Sequence, residues 1–338
     1  MLGVATGIFA ITGILTMVNS LQKSATESVA NLGNTTIFVH HWPWAEGNNE
    51  WYKFIGRPKV SYRDFQKLKQ NLTRVRGVSY EVSLRNQSIR AEGLSMSNLE
   101  VLGITHDAGE IKDMNFEDGR YFTEVESHLG SPVCIVGFNV AENLFPDSRA
   151  VGQYMRVRGK RMRVIGVQEK KGAGLFPGMP SEDDRVYIPY RQLSSTMNTE
   201  KRSIEKVITV KAERYEELEL VESDIIGLMR SARGLKPKIE NNFAINKQEA
   251  LMNRFESFFG YLKTGGWVIS IFSILIGGFS IGNIMYISVR ERTSEIGVQK
   301  ALGSTGPFIL YQFVSEAIYI CLLGGVIGLL LVFVMGGA

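Results

Sequence analysis

Glu316 is a carboxylate inside a long apolar segment, Phe308 to Val334. A charged group within a membrane helix is costly, so such groups usually face protein or water. One interpretation is therefore a gating or packing contact with another helix. The other is a position near the membrane surface, because Glu316 follows Pro307 by only nine residues. The residue type and its position leave both interpretations open.

The four histidines and two cysteines form no recognisable metal or redox motif. His40 and His41 are adjacent, and neighbouring residues of a strand point to opposite faces, so we expect no shared metal between them. Cys134 and Cys321 are far apart, one in a polar region and one in an apolar run, which argues against a zinc site and a disulfide framework. We therefore predict that this chain binds no metal.

Sequence motifs for nucleotide or redox chemistry are also missing. No G-x-x-x-x-G-K-[ST] loop, H-E-x-x-H or C-x-x-C occurs in the 338 residues. The densest charge cluster, Glu182 to Arg185, is expected to be a solvated loop or a structural ion pair. A net charge of +4 is too weak to indicate nucleic-acid binding. We predict no catalytic residue and no cofactor in this chain.

Three hydrophobic runs are long enough to cross a membrane. The runs comprise residues 2–21, 267–287 and 308–334. The short segment between the second and third runs, residues 288–307, carries Arg290, Arg292 and Lys300. Short loops rich in Lys and Arg stay in the cytoplasm. The second run therefore exits inward, and residues 22–262 are expected on the outer side.

Small residues recur four apart within these runs, at Gly278 and Gly282 and at Gly324 and Gly328. This spacing lets helix backbones approach closely in lipid, where no hydrophobic effect drives association. We predict helix packing at these glycines. Chance spacing is the alternative, because glycine is common in membrane helices.

The polar region between the first two runs alternates strand and helix signals. Ser61 to Asp64 has the form of a capping box that starts a helix, and Gly159-Lys160 separates two strands of a predicted hairpin. The predicted strands are residues 35–41, 78–84, 154–158, 161–167, 185–189, 207–212 and 236–239, and the predicted helices are residues 61–71, 215–233 and 246–263. Two strand–helix–strand units flanking residues 88–200 indicate one split α/β domain with an inserted, mainly β lobe.

The amphipathic helices beside the membrane runs and a group of tryptophans can each be interpreted in two ways. The amphipathic helix over residues 246–263, and one that continues the first run to about Asn31, could join the polar domain rigidly to the bilayer or merely extend the membrane helices. Trp42, Trp44 and Trp51 follow the first strand closely. They could face a partner or lipid, since Trp favours interfaces, or pack on their own domain.

The segment Ser288 to Ser304 resembles the cytoplasmic segment of the FtsX/MacB family of ABC transporter permeases. In that family an arginine-rich helix exit, followed by Glu-Ile-Gly and Ala-Leu-Gly, docks on the ATPase. The matching residues are Arg290, Arg292, Glu295, Ile296, Gly297, Lys300, Ala301, Leu302 and Gly303. The polar region is similar to the family's periplasmic core domain at residues 119–122, 134–145, 151–153, 164–167 and 183–189.

The resemblance implies α-helical transmembrane segments with a large α+β extracytoplasmic domain, in which a split α/β porter-like lobe carries the inserted β-rich lobe. The expected parts are a first membrane helix over residues 1–21, a periplasmic domain with stalk helices over residues 22–262, and an FtsX-like permease region over residues 263–338. Such permeases carry a fourth membrane helix, which we expect to be missing from this sequence. The expected location is the bacterial inner membrane.

The resemblance also implies a permease subunit that is not itself an ATPase. ATP and Mg²⁺ would be bound by a separate ABC ATP-binding subunit, and two permeases would pair as a homodimer or heterodimer. ATP hydrolysis would move the periplasmic domain and drive efflux from the periplasm or outer leaflet. Further expected partners are a periplasmic adaptor, an outer-membrane channel and the lipid bilayer. The alternatives are an FtsX-like regulator of a cell-wall hydrolase and a lipoprotein-releasing permease.

Overall fold

A computed structural model describes residues 2–30, 34–44, 52–91, 93–146, 148–172, 181–201 and 203–336 of the protein. The chain divides into two compact units. One, called the sheet unit, is Thr26–Arg254. The other, called the helical unit, combines Met1–Ala25 with Phe255–Ala338.

The strands and helices are numbered in chain order. The strands are β1 (Thr36–His40), β2 (Val75–Ala91), β3 (Leu94–Ile104), β4 (Phe116–Gly119), β5 (Val133–Val136), β6 (Tyr154–Val157), β7 (Lys160–Gln168), β8 (Arg185–Pro189), β9 (Glu205–Ala212) and β10 (Ala244–Lys247). The helices are α1 (Leu2–Ala30), α2 (Tyr52–Ile55), α3 (Tyr62–Asn71), α4 (Ala108–Ile111), α5 (Glu124–Leu129), α6 (Phe138–Leu144), α7 (Tyr190–Thr196), α8 (Leu218–Ala232), α9 (Gln248–Glu291), α10 (Thr293–Ala301) and α11 (Gly306–Gly336).

The described strands of the sheet unit form one continuous ten-stranded sheet. Its order is β10-β1-β9-β2-β3-β8-β5-β7-β4, and β6 pairs with both β2 and β7. The pairs β3–β8 and β5–β7 are parallel, whereas the other pairs are antiparallel. Residues 88–200 therefore do not form a sheet of their own, although the predicted large α/β domain is present.

β2 makes the sheet continuous because it is 17 residues long. Its first part pairs with β9 and its last part with β6. Between these parts its register with β3 shifts at Leu84 and Gln87, close to Asn86, whose φ is 55°. Irregularities of this kind bend a strand and increase its twist. One bent strand thus serves both parts of the sheet.

Two local predictions are confirmed by their hydrogen bonds. Ser61 Oγ accepts from the Asp64 N–H, and Asp64 Oδ2 accepts from the Ser61 N–H, so the capping box begins α3. Arg158 and Gly159, with φ of 50° and 81°, form the two-residue turn between β6 and β7. Positive φ at both positions matches the twist of a hairpin. The turn lies one residue earlier than the predicted Gly159-Lys160.

The predicted strand over residues 236–239 is wrong. Three of its backbone carbonyls accept hydrogen bonds from the guanidinium of Arg230, so this segment forms a turn around that side chain. Carbonyls used in this way are not available to a strand ladder. The strand that follows α8 is β10, and the helix predicted from Asn246 begins instead at Gln248.

Apolar side chains cover both faces of the sheet. In β3, Leu99 and Val101 belong to the larger core cluster, whereas Leu102 belongs to a smaller cluster on the opposite face. On the larger side α3 and α8 are joined by a buried ion pair, in which Arg233 Nη2 lies 2.9 Å from Asp64 Oδ2. Burial on both faces explains why the strands near the centre show little alternation of polar and apolar residues.

Two described helices are long and apolar enough to cross a membrane, Gln248–Glu291 and Gly306–Val334. The first begins in the sheet unit and continues into the helical unit. The two helices contain the second and third predicted spans. α1 is helical over the first run, and its crossing of the membrane remains a prediction. α10 is a short helix between α9 and α11.

Candidate functional site

The segment between the two apolar helices folds as a short, well-delimited helix, α10. Arg292, outside helical φ/ψ, separates α10 from α9. At the other end Gly303 has φ 94°, its N–H donates to Lys300 O at 3.1 Å, and the Ser304 N–H donates to Gln299 O at 3.0 Å. A glycine in the left-handed region is the usual way to end a helix. Gly303 therefore ends α10, and its predicted part in docking stays a prediction.

Most of the predicted site residues in this segment face solvent. Leu302 is 83% exposed, Ile296 is half-buried, and α10 has no fully buried residue. A Cβ built on Gly297 meets nothing within 4 Å, so its side of the helix is open. The exposed members of the predicted set are Arg290, Arg292, Glu295, Gly297, Lys300, Ala301 and Gly303. The segment is thus a free surface within this chain.

Glu316 is brought to the predicted site by the fold. Its Oε2 lies 3.5 Å from Arg292 Nη1, and both side chains are partly exposed. An ion pair in such a position contributes roughly 0–1 kcal/mol. Its main effect is therefore to orient Arg292 and to link the start of α10 to α11. The pair agrees with both interpretations of Glu316, a contact with another element and a position near the membrane surface, so both stay predictions.

The glycine pairs differ in their surroundings. Gly324 and Gly328 are buried in the helical unit. Gly278 and Gly282 are exposed, and a Cβ built on either meets nothing within 4 Å. Helix packing at Gly278 and Gly282 therefore stays a prediction that the described part of this chain does not test.

A small-residue stripe on another face of α9 was missed by the sequence reasoning. Gly266, Ser270 and Gly277 are buried. A Cβ built on Gly266 would lie 3.2 Å from Ile14 Cγ2, so α1 and α9 approach closely there. The spacings of four and seven residues could have revealed this face.

A G-x-S-x-G pattern occurs at residues 278–282, but it has no catalytic geometry. Ser280 lies in the middle of α9 and donates its hydroxyl to Ile276 O at 2.8 Å. A nucleophile of this type needs a strand-to-helix turn that exposes its oxygen. The pattern therefore gives no reason to assign a hydrolase site.

The tryptophans after β1 pack on their own domain. Asn246, 1% exposed, donates to Trp42 O at 3.0 Å and accepts from the Trp44 N–H at 2.8 Å. Each of these two indole rings also packs against a phenylalanine. Arg254, in the first turns of α9, donates to Trp44 O at 2.6 Å. Trp51 lies outside the described residues.

His40 and His41 come together, contrary to the prediction that they face opposite ways. β1 ends at His40, so the alternation of a strand does not extend to His41. Their ring centroids are 4.3 Å apart. His40 Nε2 lies 3.3 Å from Glu205 Oε2, and the Lys59 ammonium also binds Glu205. Ligand atoms of the two histidines and Glu205 lie within 4.8 Å of one another.

The contacts of this cluster form an ion-pair network, and the predicted absence of a metal stays a prediction. The Trp42 N–H donates to His40 Nδ1 at 3.2 Å, so a neutral His40 carries its proton on Nε2, where it donates to Glu205. This bond and that of Lys59 lower the pKa of Glu205 to about 2. Burial, followed by the charge of His40, lowers the pKa of His41 to about 4. A cation here would compete with the Lys59 ammonium.

The charge cluster 182–185 is a structural network. Asp183, 2% exposed, accepts from the backbone N–H groups of Lys171 and Gly172 at 2.9 and 2.8 Å. Arg185 lies 2.8 Å from Glu100. Of the two predictions for this cluster, the structural ion pair is therefore confirmed and the solvated loop is wrong.

The chain is similar to two families of known domains. Residues 1–228 match the MacB-like periplasmic core domain, and residues 267–338 match the FtsX-like permease C-terminal domain. The two matches together cover most of the sequence.

Curated relatives match nearly the whole chain. The macrolide export ATP-binding/permease protein MacB of Neisseria meningitidis serogroup A is 27% identical over 332 residues, 97% of this chain and 48% of that protein. MacB of Campylobacter jejuni serotype O:23/36 is 28% identical over 344 residues, 98% of this chain and 49% of that protein. The chain spans about half the length of the curated relatives it matches.

Among solved structures, the periplasmic region of MacB from Actinobacillus actinomycetemcomitans superposes with a TM-score of 0.54 at 16% identity. The match covers 68% of this chain and 96% of that one. At this identity the likeness concerns the fold alone.

Proposed function

Because this chain belongs to the family that carries the MacB-like periplasmic core domain, we propose that it is the permease part of a MacB-type ABC transporter. The proposal is supported by the FtsX-like match over residues 267–338 and by relatives named ATP-binding/permease proteins. The family predicted from the segment 288–304 is confirmed. The relatives are named as macrolide export proteins. For this chain we propose ATP-driven efflux of a substrate from the periplasm or the outer leaflet.

The observation that carries the proposal is the exposed helix α10 between two apolar helices. Its charged residues, Glu295 and Lys300, form no ion pair within the described residues, and the preceding Arg292 pairs only with Glu316. A short polar helix between two membrane helices, with open space at Gly297, offers a surface to which another protein can bind. We propose that an ABC ATP-binding subunit, which holds the ATP and Mg²⁺, docks here from the cytoplasmic side.

Movement would then be transmitted along α9. This helix is continuous from Gln248 to Glu291, 44 residues, and its first residues follow β10 directly. Arg254 and Asn246 bind the backbone after β1, which ties this end of α9 to the sheet. Two such permeases, paired in the bacterial inner membrane, would convert ATP hydrolysis into movement of their outer domains.

The test is binding of the co-expressed ATP-binding subunit to full-length permease variants. Gly297→Leu and Glu295→Lys should each abolish or strongly weaken co-purification. Gly260→Leu and Glu256→Lys are matched controls, because they make the same changes at exposed positions of α9, and Gly260 also has open space at its Cβ. The controls should retain the ATP-binding subunit.

Retention of the subunit by both α10 variants would place docking on another surface and contradict the assignment of α10. If the unaltered permease itself fails to bind any ATP-binding subunit, the transporter proposal is wrong as a whole. Loss of binding by the controls as well would show that the helical unit, not α10, was disturbed.

A further inference from the structure

Three neighbouring strands carry a row of arginines on their solvent face. Arg90 on β2 lies directly opposite Arg156 on β6, and Arg156 lies directly opposite Arg161 on β7. All three side chains are exposed. Their chain neighbours Ile89 and Met155 are buried, so the strands turn their apolar side to the core and the arginines outward. The row is therefore a fixed feature of the sheet.

The positive charge of this row is not compensated inside the described chain. Among the described residues, no ion pair or side-chain hydrogen bond involves Arg90, Arg156 or Arg163, which lies two residues beyond Arg161 on the same face. The Arg161 guanidinium stands 3.9 Å from the centroid of the Tyr154 ring, which orients it without neutralising it. Like charges directly opposite each other destabilise a sheet. A partner that brings negative charge to this face would remove that repulsion.

The shape of the face restricts the partner. Sites for small molecules are concave, whereas these arginines project from an open strand surface. Adjacent strands are about 4.8 Å apart, so the three arginine side chains leave the sheet at about that interval. Carboxylates one turn apart on a helix are separated by about 5–6 Å. Arginine also binds carboxylates through two parallel hydrogen bonds, which lysine cannot do.

We propose that Arg90, Arg156 and Arg161, flanked by Arg163 and Tyr154, form a docking face for an acidic helix of a partner protein. Carboxylates at positions i, i+4 and i+8 of that helix cross the three strands and pair with one arginine each. This face lies on the sheet unit, so it is separate from α10 and does not depend on the docking of the ATP-binding subunit.

The test uses full-length permease in a neutral detergent and a labelled, helix-stabilised peptide with glutamates at i, i+4 and i+8. An isomer of the same composition places its glutamates on different faces. Fluorescence anisotropy should show that the first peptide binds at least tenfold more tightly than the isomer, since two paired charges are lost in the isomer. Arg156→Glu should weaken binding at least tenfold, whereas Arg214→Glu, an exposed arginine elsewhere on the sheet unit, should not.

Several results would overturn the proposal. These are equal binding of the two peptides, no binding of either, or equal effects of the two substitutions. Arg156-dependent displacement of the peptide by phosphatidylglycerol vesicles or by inorganic phosphate would assign the face to a lipid surface or to a free anion. Self-association of the permease that Arg156→Glu abolishes would assign the face to a second copy of this chain.

A second measurement separates docking from structure. Arg156→Gln relieves repulsion on both sides of β6, so the thermal unfolding midpoint should rise while peptide binding falls. A lower midpoint would show that Arg156 holds the sheet together, and the proposal would then fail.

Discussion

Replacing Gly303 by alanine tests how the docking helix is held. With φ at 94°, an alanine there is strained, and the cost is about 1–2 kcal/mol. A Cβ at this position meets nothing within 4 Å, so the strain comes from the backbone and not from a clash. α10 has no fully buried residue, so little packing offsets the strain. The ratio of formed to unformed α10 should therefore fall about 5–30-fold.

Affinity for the ATP-binding subunit should fall by at most the same factor, because only the formed helix binds. Two assays on full-length Gly303→Ala check this, a binding titration and hydrogen exchange of the amides of residues 293–301. Gly260→Ala is the control, since it makes the same change in an open helical position. Faster exchange with unchanged affinity would show that docking does not need α10 formed, and unchanged exchange would refute the capping argument.

Three further predictions concern the sheet unit, each checked by the unfolding midpoint of the full chain in detergent. Gly119→Ala should lower the midpoint sharply, because the new Cβ would overlap a backbone carbonyl of β7. Gly93→Ala has a similar positive φ but open space around its Cβ, so it should lower the midpoint much less. Similar shifts for both would mean that the backbone angle φ alone decides the cost. Asp64→Ala should lower the free energy of unfolding by about 2–3 kcal/mol, because Arg233 is left buried without its carboxylate but keeps its carbonyl acceptors. A loss below about 1 kcal/mol would show that the carbonyl acceptors alone satisfy Arg233. His41 has a pKa of about 4 in the folded protein against 6.5 in its ordinary state, so it binds its proton more tightly when the protein unfolds. Its contribution to stability is fully present above about pH 6.5 and is lost as the pH falls towards 4. His41→Gln should flatten this loss of stability between pH 6.5 and 4.5, and an unaltered slope would assign the loss to other groups.

Local patterns predicted much of the fold. The capping box at Ser61, the β6–β7 hairpin and the apolar runs depend on residues close in sequence, and those parts were found where expected. The segment 288–307 was predicted to be a loop, but it consists of the end of α9, the helix α10 and the start of α11. Its docking role stays a prediction.

Features that depend on distant residues could not be predicted. The segment 236–239 was predicted to be a strand because it follows a helix, but Arg230 binds its carbonyls. The two histidines share Glu205, which lies far along the chain. In each case a tertiary contact decided between alternatives that the local sequence left equal.

The position of β1 in the sheet has a consequence for how the protein is made. Both neighbours of β1 are strands β9 and β10, and Glu205 follows His40 by 165 residues. At about 5–20 residues per second, synthesis leaves β1 without a partner for roughly 8–33 seconds. A nascent chain arrested before residue 205 should therefore leave Thr36–His40 open to protease, and one arrested well past residue 247 should protect it. During that interval the open edges of β1 are a point at which a chaperone would act, or at which two nascent chains would pair wrongly.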